Sequence, residues 1–335
     1  MELPRNIVIG NRVIDRIPAI CNTLKLTHGL VLSDPVTAKI AGDKVSDILE
    51  ADMEMAGDVT EDEIEKFHSE IRNRKLGFIV SVGGGRVIDF GKMTALKKKV
   101  PFVSVPTSPS HDGIASERVS LKGKDQRHSL KGEPPIAVAA DIEIMRKAPA
   151  KLIASGAADV ISNYTAVHDW KLAARRGEYY ADYSASLSLL SAEIVMNSAS
   201  GISERTEKGI RNLVEALISS GISISLAGSS RPASGAEHMF SHALDLMGSD
   251  ALHGEQCGVG SIITAYMQGG DWKSIKDTLK LVGAPVTAGG LGISEEMIVK
   301  ALLGANRIRK RYTILDEKPL DKKKAEEVCR ATGVF

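Results

Sequence analysis

The sequence predicts a two-part α/β protein, with a doubly wound parallel-sheet domain over residues 1–147 and an all-helical domain over residues 148–335. Three observations carry this reading. The chain is 335 residues long, enough for two domains of ordinary size. Its first third alternates short apolar runs with amphipathic stretches, the pattern of strands and helices that share one parallel sheet. From about Ala148 strand-like runs become scarce and helical spacing dominates.

The run 29–34 (GLVLSD) reads as a buried strand closing on a polar residue, and 35 to about 50 as the helix after it. Next come a helix over 61–74 (EDEIEKFHSEIRNR), a strand over 76–82 (LGFIVSV), three glycines and a helix through RVIDFGKMTALKKK. PFVSVPT, from Pro101, is another strand. Strands parted by helices of this length imply parallel βαβ units. The polar, Gly/Pro-rich stretch 120–135 reads as a hairpin or loop excursion, because strand-like IAVAA (136–140) follows it directly. Beyond 148, helical spacing covers 150–173, 181–200, 204–224, 235–247, 254–268, 272–282, 295–301 and 322–329. The lysine runs 97–99 and 322–324 read as solvated helix faces.

Composition excludes several classes. A chain that is 43% hydrophobic and 25% charged has the material for a core and is not a disordered one. Lys and Arg number 43 against 42 Asp and Glu, and only 6 Phe, 6 Tyr and 2 Trp are present. Neither a polyanion-binding surface nor a base-stacking platform is indicated, so no nucleic-acid partner is expected. Cys21, Cys257 and Cys329 form no CxxC pair, which argues against a disulfide framework and a thiolate zinc site. The start, MELPRNIVIGNRVID, lacks a basic segment followed by a long apolar one, and no window offers about 18 uninterrupted apolar residues. The expectation is a cytoplasmic protein with no membrane partner.

Gly83, Gly84 and Gly85 fall between a predicted strand and a predicted helix. Glycine lets backbone N–H groups approach a phosphate, and the helix N-terminus adds partial positive charge. The run is neither G-x-G-x-x-G nor a P-loop, so the strand–turn–helix context carries the inference, with a plain tight turn as the alternative. The loop 105–113 (VPTSPSHDG) follows the next strand and opens at the same carboxyl edge, where ligands of open α/β sheets bind. Together they suggest a nucleotide crevice. Asp34, ending an earlier strand, either hydrogen-bonds an adenosine ribose or caps the helix before Pro35.

Three of the eight histidines fall within sixteen residues. In GAEHMFSH (235–242), His238 and His242 stand at i, i+4 on one helical face, and His253 follows the loop GSD (248–250). One histidine from a helix and another from the start of the next is suitable ligand geometry for zinc, which takes imidazole and carboxylate. Asp159 lies in the small, apolar segment SGAADV, where a carboxylate is costly to bury unless paired or metal-bound. For any one of these histidines alone, an ordinary core or surface role is the alternative.

The segments GGGRVIDFGK (83–92), VPTSPSHDGIAS (105–116), SGAADV (155–160), EHMFSH (237–242) and LHGEQCGVG (252–260) together resemble the dehydroquinate synthase-like and iron-containing alcohol dehydrogenase superfamily, in order and spacing across nearly the whole chain. Within it they are most similar to the glycerol-1-phosphate dehydrogenase family. They are less similar to glycerol dehydrogenases, whose second loop reads closer to Ser-Thr-Asp-Ala where this chain has Ser110-His111-Asp112-Gly113. The resemblance implies a Rossmann-like N-terminal domain, a helical C-terminal domain and a site in the cleft between them. It implies Zn2+ held by Asp159, His238 and His253. Gly83, Gly84, Gly85 and Asp89, with the intervening Arg86, Val87 and Ile88, would serve the pyrophosphate of NAD(H) or NADP(H). Thr107, Ser108, Pro109, Ser110 and Ser116 would line the cofactor crevice, and Asp112, Asp159 and His242 would face the substrate. No fingerprint for a substrate phosphate stands out.

The activity so implied is reversible reduction of dihydroxyacetone phosphate to sn-glycerol 1-phosphate, which supplies the glycerophosphate backbone of ether lipids. Zinc would act as Lewis acid on the ketone, with His242 as proton relay and Asp112 beside it. A homo-oligomer is expected, as is common for such enzymes. The alternatives are a lyase or cyclase of the dehydroquinate synthase kind, a polyol dehydrogenase, and a non-catalytic nucleotide-binding regulator.

Overall fold

The computed structural model describes residues 3–123 and 127–335. The first two residues, and residues 124–126 within the 120–135 excursion, lie outside them. The chain divides into two compact units, Met1–Pro149 with Arg205–Ile222, and Ala150–Glu204 with Ser223–Phe335. The division drawn from the sequence at 147/148 differs from this chiefly in the segment 205–222, which belongs with the first unit.

Strands β1 (Asn6–Gly10), β2 (Gly29–Ser33), β3 (Met53–Met55), β4 (Phe78–Gly83) and β5 (Phe102–Pro106) precede an antiparallel hairpin of β6 (Arg118–Lys122) and β7 (Arg127–Lys131), and β8 (Pro135–Asp141) follows it. Six of them form one sheet in the order β1-β8-β5-β4-β2-β3, every neighbouring pair parallel. Parallel strands are buried on both faces, which is why these runs are almost continuously apolar. Alternate residues then serve opposite cores. Val31, Val80, Val82, Val103 and Val105 pack on one side, and Leu30, Leu32, Ile79 and Phe102 on the other.

The strand order locates the ligand edge. From β2 the chain steps outward to β3, whereas from β4 it steps the other way to β5 and on to β8. β2 and β4 are neighbours, so the switch of direction lies between them, and their carboxyl ends are where open α/β sheets bind ligands. Asp34 follows β2, and Gly84 follows β4.

Two strands have little sequence signal. β1 is five residues long at the sheet edge, and β3 pairs over only three residues. The helix expected over 35–50 is broken into Pro35–Thr37, a π-helical turn Ala38–Gly42 and Asp43–Leu49. Gly42 approaches β2 closely there, since a Cβ on it would lie 2.8 Å from Ser33 Oγ.

Among the described residues the second unit is entirely helical. The helix expected over 150–173 is two, Ala150–Ile161 and Asn163–Ala174. Ser162 between them donates its hydroxyl to Asp159 O at 2.6 Å. The others that matter below are Ala236–Leu246 and His253–Gln268. Among the described residues, Glu207–Ala227 is the one helix long and apolar enough, by length and composition, to cross a membrane.

Candidate active site

The glycine turn of the first unit is built for close approach. Gly83 closes β4, and a Cβ on it would meet Val87 at 2.6 Å. Gly84 caps the Gly85–Lys98 helix with no side-chain hydrogen bond, which leaves the first-turn N–H groups available to an anion. Beside it, Ser108 Oγ is buried, has no hydrogen-bond partner among the described residues, and lies 3.6 Å from where a Gly84 Cβ would be. An orphaned hydroxyl next to an uncapped helix start suits a phosphate-bearing cofactor. Val87 and Ile88 are buried in the core, so only their backbone could serve a ligand.

Of the two roles open to Asp34, the helix cap is formed. Its Oδ1 accepts from Val36 N at 3.0 Å and Thr37 N at 2.9 Å. Its Oδ2 lies 3.4 Å from Arg86, whose Nη1 donates to Ala56 O and Gly57 O. Asp89 has both carboxylate oxygens engaged by protein, Oδ1 at 3.2 Å from Lys92 Nζ and Oδ2 accepting from Ser120 N. Lys92, fully buried, also donates to Gly113 O at 2.5 Å and Arg118 O at 2.7 Å. This pair fastens the loop after β5 to the helix after β4.

That loop carries Thr107, Ser108, Pro109, Ser110, Asp112 and Ser116. Thr107 N donates to Gly83 O at 3.0 Å, which joins the two strand ends. Ser116 Oγ accepts from Arg118 N. Asp112 accepts at Oδ2 from Ser220 Oγ at 2.9 Å, and a Cβ on Gly221 would lie 2.9 Å from Asp112 O. The segment 205–222 thus packs on this loop. Burial pushes the Asp112 carboxyl up, against the pull of the nearby His111, the Ser220 hydrogen bond and Lys92.

The second unit brings Asp159, His238 and His253 together. Their ligand atoms, with Cys257 Sγ, all lie within 4.8 Å of one another. His238 Nε2 is 3.8 Å and His253 Nε2 3.9 Å from the same oxygen, Asp159 Oδ1. These distances are too long for hydrogen bonds. They approach the separation of about 3.4 Å between two ligands bound tetrahedrally at 2.0–2.1 Å from one zinc. Each imidazole is held from behind. His238 Nδ1 faces Glu237 Oε1 at 3.0 Å, and His253 Nδ1 faces Ser241 Oγ at 2.9 Å. Ser241 in turn donates to Gln256 Oε1, and Gln256 donates to Asp245. Anchoring Nδ1 leaves Nε2 as the outward lone pair, the form a metal ligand requires. Burial, with His242, Arg309 and Arg311 adding positive charge, pushes the His238 pKa well down and keeps it neutral. The donor set fits Zn2+.

His242 stands one turn beyond His238, and its ring stacks on His253 at 5.7 Å. Its Nδ1 is buried without a hydrogen-bond partner among the described residues, 3.9 Å from Asp245 Oδ2. Asp112 and the cofactor residues belong to the first unit, and Asp159, His238, His242 and His253 to the second.

The iron-containing alcohol dehydrogenase family model matches residues 8–149. The NAD(P)+ glycerol-1-phosphate dehydrogenase of Pyrococcus horikoshii is 48% identical over 100% of this chain and 99% of its own. That of Methanosarcina barkeri is 46% identical over 100% and 96%. The chain belongs to the glycerol-1-phosphate dehydrogenase family. A probable glycerol dehydrogenase from Sinorhizobium meliloti 1021 has the same fold, with a TM-score of 0.82 at 19% identity over 100% of this chain and 98% of that one.

In this member of the glycerol-1-phosphate dehydrogenase family, two residues around the site escaped the sequence reading. Cys257 was set aside for want of a CxxC partner, yet it stands four residues after His253 on one helix, and its Sγ is 3.6 Å from His253 Nε2. Burial raises its pKa well above the ordinary thiol value, so without a metal it stays a protonated thiol beside the imidazole. Glu237, fully buried, accepts from Gly235 N at 2.6 Å and Thr165 Oγ1 at 2.9 Å besides facing His238. The signal for both was spacing relative to a histidine, i+4 for Cys257 and i−1 for Glu237.

Proposed function

We propose that this chain catalyses the reversible reduction of dihydroxyacetone phosphate to sn-glycerol 1-phosphate with NADH or NADPH, using Zn2+ held by Asp159, His238 and His253. The observation that carries the proposal is the convergence of two back-anchored imidazoles on one buried Asp159 oxygen. The full-length similarity to named glycerol-1-phosphate dehydrogenases supports the substrate. When bound, Zn2+ would polarise the substrate ketone and NAD(P)H would supply the hydride. The chain's residues do the rest. Gly83 to Gly85, the first-turn N–H groups and Ser108 would hold the cofactor pyrophosphate. Thr107, Pro109, Ser110 and Ser116 would shape the crevice around it. Asp112 would hydrogen-bond a substrate hydroxyl. His242, with its unpartnered Nδ1, would pass a proton to the product oxygen. We further infer a cytoplasmic homo-oligomer acting on this small molecule, with no nucleic-acid or membrane partner, in keeping with the near-neutral charge and scarce aromatics.

Chiral analysis of the product formed from dihydroxyacetone phosphate and NADH tests the proposal. The expected product is sn-glycerol 1-phosphate, with NADH oxidised one for one. The opposite enantiomer, or no net NADH oxidation as a dehydroquinate synthase-type reaction would show, would overturn it.

A further inference from the structure

His111 has no part in the mechanism above, yet two glycines make way for it. A Cβ at position 85 would lie 2.0 Å from His111 Nε2, and one at position 113 would lie 2.4 Å from its Nδ1 and 2.3 Å from its Cε1. Neither position tolerates a side chain while the ring is there. Gly85 is the first residue of the Gly85–Lys98 helix, so the imidazole is set against the helix start where the pyrophosphate would rest.

The proton's position follows from one hydrogen bond. Gly113 N donates to His111 Nδ1 at 2.8 Å, so Nδ1 carries the lone pair and the neutral ring carries its proton on Nε2. Nε2 has no hydrogen-bond partner among the described residues, and the residue is half-buried. Burial pushes the His111 pKa down and Lys92 adds to this, while Asp89 and Asp112 pull the other way, so the neutral tautomer holds at neutral pH. The result is a single N–H donor fixed beside an uncapped helix N-terminus.

We propose that His111 is a cofactor-binding residue whose Nε2–H donates a hydrogen bond to the dinucleotide pyrophosphate. It completes the ring of donors begun by the first-turn N–H groups and Ser108. Gly85 and Gly113 are then glycines for two reasons, the close approach of the phosphate and the seating of this ring. The proposal rests on the reading of the glycine turn as the cofactor cradle.

The test uses the two amides that each copy one side of imidazole. Asn at 111 places an oxygen near Nδ1 and keeps the Gly113 contact but has nothing at Nε2. Gln places its amide nitrogen near Nε2. Dissociation constants for NADH and ADP-ribose are measured by fluorescence and calorimetric titration, with thermal unfolding as a check on the fold. His111→Asn should weaken both ligands by about tenfold or more, as expected for losing a hydrogen bond to an ionised group. His111→Gln should stay within about threefold of the wild type. Equal loss in both variants, or none in either, overturns the proposal. Gly84→Val measured alongside separates the two readings. If it leaves NADH affinity unchanged the cradle itself is misplaced, whereas if it weakens NADH and His111→Asn does not, only the role of His111 fails. In the wild type, the His111 Nε2–H resonance of 15N-histidine-labelled protein should move on addition of ADP-ribose, and an unmoved resonance counts against the proposal even where a variant does not fold.

Discussion

His238 and His242 stand one helical turn apart, and the proposed function gives them different work. His238 is pinned by Glu237 at Nδ1 and turned to Asp159 through Nε2. His242 has no such pin, and its closest carboxylate approach is 3.9 Å from Asp245. Removing one ligand from a site with three protein ligands should empty it, whereas removing a proton relay should slow chemistry and leave the metal. His238→Ala is expected to purify without zinc and to regain little activity when metal is added. His242→Ala should keep its zinc and its cofactor affinity and turn over some 10²–10⁴-fold more slowly. Elemental analysis of both variants decides the assignment. Zinc lost from His242→Ala but kept by His238→Ala would reverse the roles.

The Gly85–Lys98 helix joins three functions in one element. Its N-terminus faces the crevice, and its middle packs so tightly on the sheet that a Cβ on Gly91 would lie 1.8 Å from Ser81 Oγ. Its Lys92 fastens the loop bearing Asp112. At the cap, Gly84 has φ −77, a conformation any residue can adopt, and a Cβ there meets Ser108 Oγ at an ordinary 3.6 Å. The effect of Gly84→Val is therefore steric and local, the γ-methyls intruding where the pyrophosphate would lie. Titration should show NADH affinity reduced by about tenfold or more while fluorescence of Trp170 and Trp272, both in the second unit, is unchanged. Unaltered affinity would reject the cradle. This helix was legible because apolar periodicity, a glycine start and a lysine end agree with one another. The lysine run at its end was read only in part. Lys98 donates to Ile71 O, Arg72 O and Arg74 O, carbonyls 24 to 27 residues back in the chain. Periodicity cannot show such a contact. The break in the helix expected over 35–50, beside the close approach of Gly42 to Ser33, was equally hidden, because neither is written in local spacing. The histidine cluster was legible for the opposite reason, since i, i+4 spacing and a carboxylate in an apolar segment are written locally. The segment 205–222 was assigned by its helical character, whereas its unit is decided by contacts such as Ser220 with Asp112.

At the scale of the whole molecule, the helices bearing His238 and His253 are held by Asp169, a buried carboxylate outside the proposed ligand set. Asp169 Oδ2 accepts from Ala236 N, at the start of the helix bearing His238, and Oδ1 accepts from Gln268 Nε2 and Ile314 N, each at 2.8 Å. One side chain thus ties together segments near 169, 236, 268 and 314. Burial pushes its pKa up to about 7, neighbouring Glu237 adds to the rise, and the three N–H donors only partly offset it. The folded state therefore keeps this proton up to about pH 7, whereas an unfolded aspartate releases it near its ordinary value of 3.8. Between those values the folded state binds more protons than the unfolded one, so this group's contribution to stability falls as pH rises through the window and is level above it. A shift of about three units corresponds to about 4 kcal/mol across the window. Asp169→Asn removes the titration. Denaturant unfolding of chelator-treated wild type and variant, so that metal-linked protons cancel, is followed by tryptophan fluorescence from pH 4.5 to 8. The stability of the wild type relative to Asp169→Asn should decline steadily to about pH 7 and then flatten. A difference that is constant with pH, or that grows as pH rises, would show that the carboxyl is ionised in the folded unit and that the three N–H donors outweigh its burial.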